Sequence, residues 1–343
     1  MRVAMYHNNR DVRLEEVEVP AIGSGELLLQ IFASSICGSD TMEWYRIKRA
    51  PLVLGHEIAG RVAGVGQGVT GFSKGDRVAA THHVPCFECR YCKSGHETVC
   101  DTLLSGTHFD PGGFCEYVRL PSINVERGTW TLPDEVSYEA ATFVEPLACV
   151  LRGQRFAGIR SGAGVLILGS GIAGLLHVKL ALANKAGLVV ATDLSHERLA
   201  LAKKFGAHHT LAADSDVAQE FRKLHNGHGA DVVIVCAAAE AVLQQSFRAV
   251  GRGGVILLFA PAPAGTVVPL NINDVFWRRD VTVTTSYAAS PSDCAEALEL
   301  IRSKQVLVED MITHRFGLAE TGKGFQLVAE GGASLKVIIK PQE

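Results

Sequence analysis

Four cysteines in one polar loop have a spacing that suits a metal ion. Cys86, Cys89, Cys92 and Cys100 follow the pattern C-x2-C-x2-C-x7-C. Four thiolates at this spacing can complete a tetrahedral shell, which is typical of a structural zinc site. An iron–sulfur cluster is an alternative, but its usual pattern has a shorter last interval followed by proline, whereas Asp101 follows the last cysteine here. The spacing therefore predicts structural zinc.

A second set of metal-binding side chains is spread over three segments. Cys37 and His56 each stand at a turn beside an expected strand, and Glu145 precedes a proline further along the chain. A cysteine and a histidine alone would more often be unrelated core residues. With the carboxylate added, the three donors suit a zinc ion that keeps one position open for water or substrate. The set predicts a catalytic metal site.

A glycine-rich turn lies between an apolar run of strand length and an apolar helical pattern. Gly169, Gly171 and Gly174 form G-x-G-x-x-G, and Asp193 ends the next strand-like run. This order is typical of a dinucleotide fingerprint, in which the helix N-terminus faces the pyrophosphate and the acid binds the ribose about 20 residues later. A carboxylate there repels a 2′-phosphate, which favours NAD over NADP. Arg198 could reach the same ribose, or it could be a solvated helix charge.

The elements that would position these side chains change along the chain. Residues 1–35 alternate apolar and polar positions in short runs separated by turn signals, which indicates antiparallel strands and a mostly β first part. From Ser137 the pattern becomes helical. Beyond Asp193 strand-like and helical runs alternate, which predicts βαβ units in a doubly wound parallel sheet. Ser290 and Pro291 begin another helix, and the strands after it are expected to rejoin the first domain.

Composition excludes several classes of function. A chain of 343 residues is expected to form two domains. A net charge of −3 and a pI near 6.5 give no basic surface for nucleic acid or an anionic membrane. The first residues do not form a secretory signal and no apolar window suits a membrane span, so a cytoplasmic location is expected. Nine cysteines in such a chain are better explained as metal ligands and buried thiols than as disulfides.

Five motifs occur in order along the chain, namely ICGSD, LGHE, CFECRYCKSGHETVC, FVEPLA and GSGIAG with a following ATD. In this combination the chain resembles the zinc-dependent medium-chain dehydrogenases, in particular their sorbitol, polyol and L-threonine dehydrogenase branch. The resemblance implies an α/β fold class. A GroES-like, mostly β catalytic domain would cover residues 1–148 with a structural-zinc lobe at 86–100. A Rossmann NAD-binding domain with a doubly wound parallel sheet would cover 149–287, and 288–343 would return to the catalytic domain.

The resemblance also implies a ligand set for the catalytic zinc. Cys37, His56 and Glu57 match the family's ligands, and Glu145 matches either a further ligand or the acceptor for zinc-bound water. Which of the two glutamates is the third protein ligand is left open by the sequence. Alcohol dehydrogenases proper carry cysteine where Glu145 stands, and the difference points to the polyol branch.

Other positions match the family's relay, cofactor and substrate residues. Ser39 matches the proton-relay hydroxyl, and Asp40 matches the carboxylate that orients a ligating histidine. The positions expected to bind the cofactor are Gly169, Gly171, Ile172, Ala173, Gly174, Asp193 and Arg198. The positions expected to line the substrate pocket are Glu43, Tyr45 and Tyr287. Ser286 stands where sorbitol dehydrogenases carry an arginine, which puts sorbitol itself in doubt as the substrate.

The reaction expected from this likeness is hydride transfer from a secondary alcohol of a polyol, sugar alcohol or sugar-derived ring to NAD⁺, giving a ketone reversibly. One alternative is an L-threonine-type 3-dehydrogenase, with Arg46 or Lys48 as partner of the substrate carboxylate. Another is a noncatalytic protein that binds NAD and zinc. The expected cofactors are NAD and two zinc ions per subunit, one catalytic and one structural. The expected partners are a small-molecule alcohol and further copies of the chain in a dimer or tetramer.

Overall fold

The computed structural model describes residues 1–237, 239–332 and 334–343. The strands of these residues, numbered in chain order, are β1 (Arg2–Asn8), β2 (Asp11–Glu16), β3 (Leu27–Ser35), β4 (Leu52–Val53), β5 (Glu57–Val65), β6 (Arg77–Ala80), β7 (Tyr117–Leu120), β8 (Thr129–Thr131), β9 (Gly164–Leu168), β10 (Leu188–Asp193), β11 (His209–Ala212), β12 (Ala230–Val235), β13 (Val250–Leu258), β14 (Thr282–Thr285), β15 (Ile312–Gly317) and β16 (Lys336–Lys340).

The α-helices, numbered in the same way, are α1 (Glu43–Arg46), α2 (Arg90–Lys93), α3 (Asp101–Gly106), α4 (Ser122–Arg127), α5 (Tyr138–Ala141), α6 (Val144–Ala157), α7 (Ile172–Ala183), α8 (His196–Lys204), α9 (Val217–Leu224), α10 (Glu240–Ala249), α11 (Ile272–Val275), α12 (Pro291–Arg302) and α13 (Thr321–Glu330). Single 3₁₀ turns cover Ile47–Arg49, Glu97–Val99, Glu309–Met311 and Leu318–Glu320.

The chain folds as two compact units, and the first of them is discontinuous in sequence. Unit 1 comprises Met1–Ala148 and Ala288–Glu343, and unit 2 comprises Cys149–Tyr287. Within unit 1, β16 pairs antiparallel with β3 and parallel with β15. The late strands are therefore part of the same sheet as the early ones.

Unit 1 is built mainly from strands, as the short alternating runs of the sequence predict. Its larger sheet has the order β15-β16-β3-β5-β6-β8, with β7 also paired to β3, and a smaller sheet has the order β2-β1-β4. Strand β3 shows the alternation most clearly, because Leu27, Leu29 and Ile31 are fully buried while the residues between them are partly exposed. These side chains pack with β5, β6 and β7 into one core cluster.

Unit 2 contains a parallel sheet of order β11-β10-β9-β12-β13-β14. Its central strand β9 is buried along its whole length, which explains why Val165 to Leu168 form a continuous apolar run rather than an alternating one. The strand order reverses between β9 and β12, which is the position where doubly wound sheets bind ligands. The predicted fold class is confirmed.

One local prediction needs correction, two elements were not predicted, and one helix start is confirmed. The helical stretch expected from Ser137 is two helices, α5 and α6. They are separate because the Phe143 N–H donates to Ala140 O, three residues earlier, and this shorter hydrogen-bonded turn interrupts the α-helical pattern. Strand β11 and helix α9 were not expected from the sequence. For β11 the reason is that this short edge strand has no buried position. At α12, Ser290 caps the helix and Pro291 stands in its first turn, as predicted, and Asp293 completes a capping box.

Candidate functional site

The four cysteines at positions 86, 89, 92 and 100, called the cysteine lobe below, come together in unit 1. Their sulfur atoms all lie within 4.8 Å of one another. The Cys89–Cys92 and Cys86–Cys100 sulfur pairs are each 3.5 Å apart, much longer than a disulfide bond of ~2.05 Å. The arrangement fits four thiolate ligands of one metal ion and does not fit disulfides.

Backbone N–H groups favour the thiolate form of two of the four cysteines in the lobe. The N–H groups of Glu88 and Cys89 donate to Cys86 Sγ at 3.4 and 3.3 Å, and these hydrogen bonds lower the pKa of the Cys86 thiol. Burial acts to raise the pKa of the Cys100 thiol, but N–H donors, among them that of Cys86, lower it to about 6. Cys92 differs, because burial raises the pKa of its thiol to about 12. Since the thiolate is the form that binds metals, Cys86 and Cys100 are the two cysteines prepared for a cation.

The cysteine lobe has little apolar packing of its own. Its core cluster consists of Cys92, Cys100 and Leu103, with the other two cysteines packed against it. Helices α2 and α3 are short, and Arg127 connects the lobe to α4 through a 2.9 Å hydrogen bond from Nη1 to Cys86 O. A metal ion would supply most of the cohesion of this segment.

Cys37, His56 and Glu57 form a second group, called the thiolate site below, because two paired strands end at the same place. Strands β3 and β5 pair antiparallel with Ser35 opposite Glu57. Cys37 follows β3 by two residues, and His56 immediately precedes β5. One ligand atom from each of the three residues lies within 4.8 Å of the others. Thiolate, imidazole and carboxylate form a donor set that suits zinc with an open position.

The Glu57 carboxylate is buried, and only one of its two oxygen atoms accepts hydrogen bonds from the described residues. Its Oε2 accepts hydrogen bonds from Ser35 Oγ and from Lys336 Nζ, the latter at 2.5 Å. Both partners of the ion pair are buried, with side-chain exposures of 1% for Lys336 and 0% for Glu57. Oε1 of Glu57 is buried and has no hydrogen-bond partner among the described residues. Because a buried carboxylate oxygen needs a partner, this orphan atom fits a metal ligand.

Asp40, the residue predicted to orient His56, lies beside the ring of that histidine. The Asp40 carboxylate is fully buried, its Oδ2 accepts from the Cys37 N–H at 3.0 Å, and its Oδ1 lies 3.3 Å from His56 Nδ1. Burial acts to lower the pKa of His56, but Asp40 raises it well above its ordinary value. Ser39 Oγ lies 3.4 Å from Cys37 Sγ and accepts from Arg46 Nη2 at 3.3 Å. The carboxylate faces Nδ1 of the ring, so the other ring nitrogen stays available as a ligand.

Glu145 lies in a different group from the thiolate site. Its ligand atom lies within 4.8 Å of those of His82 and His83, and we call these three residues the histidine group. The Glu145 Oε1 to His83 Nδ1 distance is 3.5 Å. Sequence reasoning missed both histidines, although two adjacent histidines directly before the first cysteine of the lobe were an available signal.

The predicted substrate-pocket residues lie at the surface of their units. Glu43 is exposed, and its Oε2 accepts from the Asn9 N–H at 3.2 Å. The Tyr45 side chain is 39% exposed and carries the Arg46 guanidinium 4.8 Å from its ring centre. Tyr287 belongs to unit 2 and is 52% exposed. Their assignment to a substrate pocket stays a prediction.

The glycine turn of unit 2 has the geometry that a dinucleotide fingerprint requires. Gly169 has φ +100°, and a Cβ on Gly174 would lie 1.9 Å from Gly169 O, so larger residues are excluded at both positions. A Cβ on Gly171 would meet no atom within 4 Å, which leaves open space beside the turn. Ile172 and Ala173 begin α7. The N-cap residue is Gly171, which has no side chain to accept a hydrogen bond from the first N–H groups of the helix. The first N–H groups of the helix are therefore available to a phosphate.

Asp193 lies beside the glycine turn, at the end of β10. Its Oδ2 accepts from the Ser170 N–H at 2.8 Å, and its Oδ1 accepts from the Ser195 N–H at 2.9 Å. The Arg198 guanidinium lies 3.9 Å from the same carboxylate. The structure thus brings the acid, the arginine and the turn together, and their assignment to cofactor binding stays a prediction.

Comparison with known proteins gives the family. The chain matches the alcohol dehydrogenase GroES-like domain over residues 23–133 and the zinc-binding dehydrogenase domain over residues 173–303. It is 31% identical over 352 residues to sorbitol dehydrogenase of Bacillus subtilis (strain 168), covering 99% of this chain and 97% of that protein. The chain belongs to the zinc-dependent medium-chain dehydrogenases. This confirms the family and the enzyme class predicted from the motifs.

Other members of the family differ in what they act on. L-threonine 3-dehydrogenase of Pyrococcus furiosus is 34% identical over 336 residues, covering 93% of this chain and 92% of that protein. A zinc-binding dehydrogenase of Sinorhizobium meliloti 1021, solved with bound NADP, has a TM-score of 0.89 at 28% identity and covers 99% of both chains. At the level of the family, zinc and NAD(P) are confirmed as cofactors and an alcohol as the class of substrate. Among the described residues, no helix is long and apolar enough to cross a membrane.

Proposed function

We propose that this dehydrogenase oxidises a secondary alcohol of a polyol, sugar alcohol or sugar-derived ring with NAD⁺, giving a ketone, and catalyses the reverse reduction. The observation that carries the proposal is the thiolate site, where buried Glu57, whose Oε1 has no hydrogen-bond partner among the described residues, stands beside a cysteine and a histidine. In this proposal unit 1 is the catalytic domain and unit 2 the NAD-binding domain. A cytoplasmic location and a dimer or tetramer stay predictions.

The residues of the thiolate site would hold zinc and prepare it for an alcohol. Bound there, zinc supplies Lewis-acid polarisation of the substrate hydroxyl. Lys336 and Ser35 hold one Glu57 oxygen and leave the other for the metal. Asp40 keeps the His56 ring in place through Nδ1.

Ser39 is the group proposed to take up the alcohol proton. Its hydroxyl lies 3.4 Å from Cys37 Sγ and therefore next to the reacting position. The Arg46 guanidinium donates to both Ser39 Oγ and Ser39 O, at 3.3 and 3.0 Å, and so restricts the hydroxyl to one orientation. A fixed relay hydroxyl lowers the reorganisation needed when the proton leaves.

The turn in unit 2 supports NAD as the preferred coenzyme. The open space beside Gly171 and the free N–H groups of α7 suit a pyrophosphate, and the nicotinamide supplies the hydride acceptor. The Asp193 carboxylate stands where a ribose 2′-hydroxyl would bind and would repel a 2′-phosphate.

Asp193→Ser should raise kcat/KM for NADP relative to NAD by at least ~10-fold, because like charges in contact cost several kcal/mol.

The deciding experiment is NADH formation by the zinc-loaded protein with a panel of polyols, inositols, sugar derivatives and L-threonine. We expect turnover of one polyol class with NAD, little with NADP, and loss of turnover when the zinc of the thiolate site is removed. Zinc-loaded protein that binds NAD but oxidises no member of the panel would contradict the proposal.

The likeness to the Pyrococcus furiosus enzyme favours a second candidate, oxidation of an amino alcohol. This reaction needs a cation for the substrate carboxylate. Arg46 is already bound to Ser39 and lies 3.6 Å from Asp40, so it is poorly placed for a further anion, whereas Lys48 is exposed. Turnover of L-threonine that falls in Lys48→Met would establish this candidate in place of the first.

A further inference from the structure

A cavity that the mechanism above does not use opens at one edge of the parallel sheet of unit 2. Its volume is about 570 Å³, within the range of ~300–1,000 Å³ that is usual for small-molecule sites. The end of α9 and the starts of β12 and β13 line it. The glycine turn, by contrast, follows the carboxyl end of β9, which runs parallel to β12. The length of a strand, about 15 Å, therefore separates the cavity from the expected coenzyme position.

Cationic side chains dominate the polar wall of this cavity, which is called the arginine cavity below. The wall contains three arginines, two histidines and one carboxylate, namely Arg222, Arg252, Arg279, His225, His228 and Asp231. None of the three guanidinium groups forms an ion pair with a carboxylate of the described residues. The whole chain has a net charge of −3, so this wall is a local exception. Because a concave wall with charge of one sign focuses the electrostatic potential, the arginine cavity attracts anions.

The carboxylate in the wall is engaged elsewhere and does not neutralise the arginines. Asp231 Oδ2 accepts from the Gly164 N–H at 2.7 Å and lies 3.9 Å from His225 Nε2. His225 Nδ1 in turn lies 3.1 Å from Gly229 O. Asp231 thus connects the start of β12 to the start of β9 and to the residue that follows α9, and the positive charge of the arginines is left uncompensated.

Two of the arginines are fixed in place by backbone carbonyl groups. Arg222 Nη2 donates to Arg248 O at 2.6 Å, and Arg279 Nη2 donates to Val250 O at 2.8 Å. Nη1 of each side chain donates to a further carbonyl group. A carbonyl group cancels no charge, and these bonds use only some of the N–H donors of a guanidinium. The two side chains are therefore held on carbonyl groups two residues apart, with their charge intact and with donors left over for a ligand.

Glycines keep the remaining wall of the arginine cavity open. A Cβ on Gly227, whose φ is +84°, would meet no atom within 4 Å. Gly229 and Gly251 pack backbone against backbone, since a Cβ on Gly229 would lie 2.7 Å from Gly251 N. The pairing of β12 with β13 skips residues 251–254, so this GRGG segment leaves the ladder and carries Arg252 to the cavity. Backbone, rather than bulky side chains, shapes this wall and leaves room for a ligand.

We propose that the arginine cavity binds a small molecule that carries phosphate groups, at a site separate from the coenzyme turn. A guanidinium binds phosphate through paired hydrogen bonds, and a guanidinium that is already held in place loses less entropy on binding. Two anchored arginines and the mobile Arg252 suit a ligand with more than one phosphate group. An inorganic pyrophosphate and an organic bisphosphate share this chemistry. The inference holds whichever alcohol is the substrate.

Calorimetric titration of the zinc-loaded protein tests the proposal. Excess NADH is present so that the glycine turn is occupied, and the salt concentration is about 0.15 M so that weak surface binding is screened. Pyrophosphate and fructose 1,6-bisphosphate are the probes, and each should bind at about one per chain with a Kd below ~1 mM. Tighter binding of the bisphosphate by ~10-fold or more would identify an organic ligand, whereas equal affinity would identify the free inorganic anion.

Variants locate the binding. Arg222→Met and Arg279→Met should each weaken pyrophosphate binding by about 10–100-fold, because each removes hydrogen bonds to a charged group. Arg252→Met should weaken it by about 10-fold, and its side chain has no partner among the described residues, so this variant tests the cavity even if the other two do not fold. Arg160→Met is the matched control, because this exposed arginine of unit 2 does not line the cavity, and it should bind like the wild type.

Three results would overturn the proposal. The first is that neither probe binds to the wild-type protein. The second is binding that disappears when NADH is added, which would place the anion at the glycine turn. The third is an equal loss of affinity in Arg160→Met and in Arg252→Met, which would mean that the protein attracts the probes only through its general surface charge.

Discussion

The cysteine lobe and the thiolate site both gather candidate metal ligands in unit 1, but the chain holds them in different ways. In the lobe the ligands are at most 14 positions apart in one loop, with a core cluster of only three residues. In the thiolate site, Cys37 and His56 stand at the ends of paired core strands, and Lys336 holds Glu57 from 279 positions away.

The difference teaches what each region needs from a metal. The strands that carry the thiolate site are fixed by buried side chains such as Leu29, Ile31 and Ile58, so the ligands are in position before an ion binds. The lobe has no comparable core, so the ion itself supplies its order. One region is a scaffold that binds a metal, and the other is a segment that a metal folds.

The largest effect expected from this comparison is on activity. Cys37→Ser should lower kcat/KM by at least ~10³-fold, because loss of the thiolate ligand weakens Lewis-acid stabilisation worth several kcal/mol. The melting temperature should hardly change. Cys149→Ser, a cysteine outside both metal regions, is the control and should stay active. Unfolding of Cys37→Ser at low temperature would show that the thiolate site also depends on its metal for structure.

The next effect is on stability and tests the framework of the thiolate site. Lys336→Met leaves the Glu57 carboxylate buried without its cation and should lower the free energy of unfolding by about 3–5 kcal/mol. Lys340→Met, in the same strand but with a side chain 28% exposed, should change it by less than ~0.5 kcal/mol. Denaturant unfolding measures both variants. Equal small effects would mean that the ion pair does not hold the site.

Metal removal should separate the two regions directly. A chelator that extracts all zinc should raise the rate of proteolytic cleavage within residues 86–106 by about 100-fold, while the strand signal in circular dichroism is kept. Cys100→Ser should reproduce the cleavage in the presence of zinc. Cleavage spread equally over β3 and β5 would contradict the division into scaffold and metal-folded segment.

The smallest effect concerns the orientation of one ligand. Asp40→Asn keeps the shape of the side chain but removes the charge that fixes His56, and it should weaken zinc binding at the thiolate site by about 10–100-fold. Competition with a chromogenic chelator measures the affinity. Asp76→Asn, whose carboxylate only closes a turn onto Ser73, is the control. If both variants bind zinc alike, the ring is positioned by packing alone.

Sequence reasoning succeeded where the information is local. The four-cysteine spacing and the glycine turn both lie within a single segment, so their geometry follows from chain connectivity. It missed Lys336 and the two histidines at 82 and 83, because their neighbours depend on which strands pair and in what register. Strand β11 was missed for a related reason, since its partly exposed HTLA segment becomes a strand only beside β10. The exposed positions of Glu43 and Tyr45 likewise depend on how α1 packs, which no local pattern shows.

The distance in sequence between Glu57 and Lys336 has a consequence for synthesis on the ribosome. At ~5–20 residues per second, Cys37, His56 and Glu57 leave the exit tunnel many seconds before their last supporting strand exists. Unit 2 is continuous in sequence and can fold during this time. The Glu57 carboxylate, by contrast, has no Lys336 ammonium to pair with until the last strand is made. A nascent chain therefore acquires its cysteine lobe early and its finished thiolate site late.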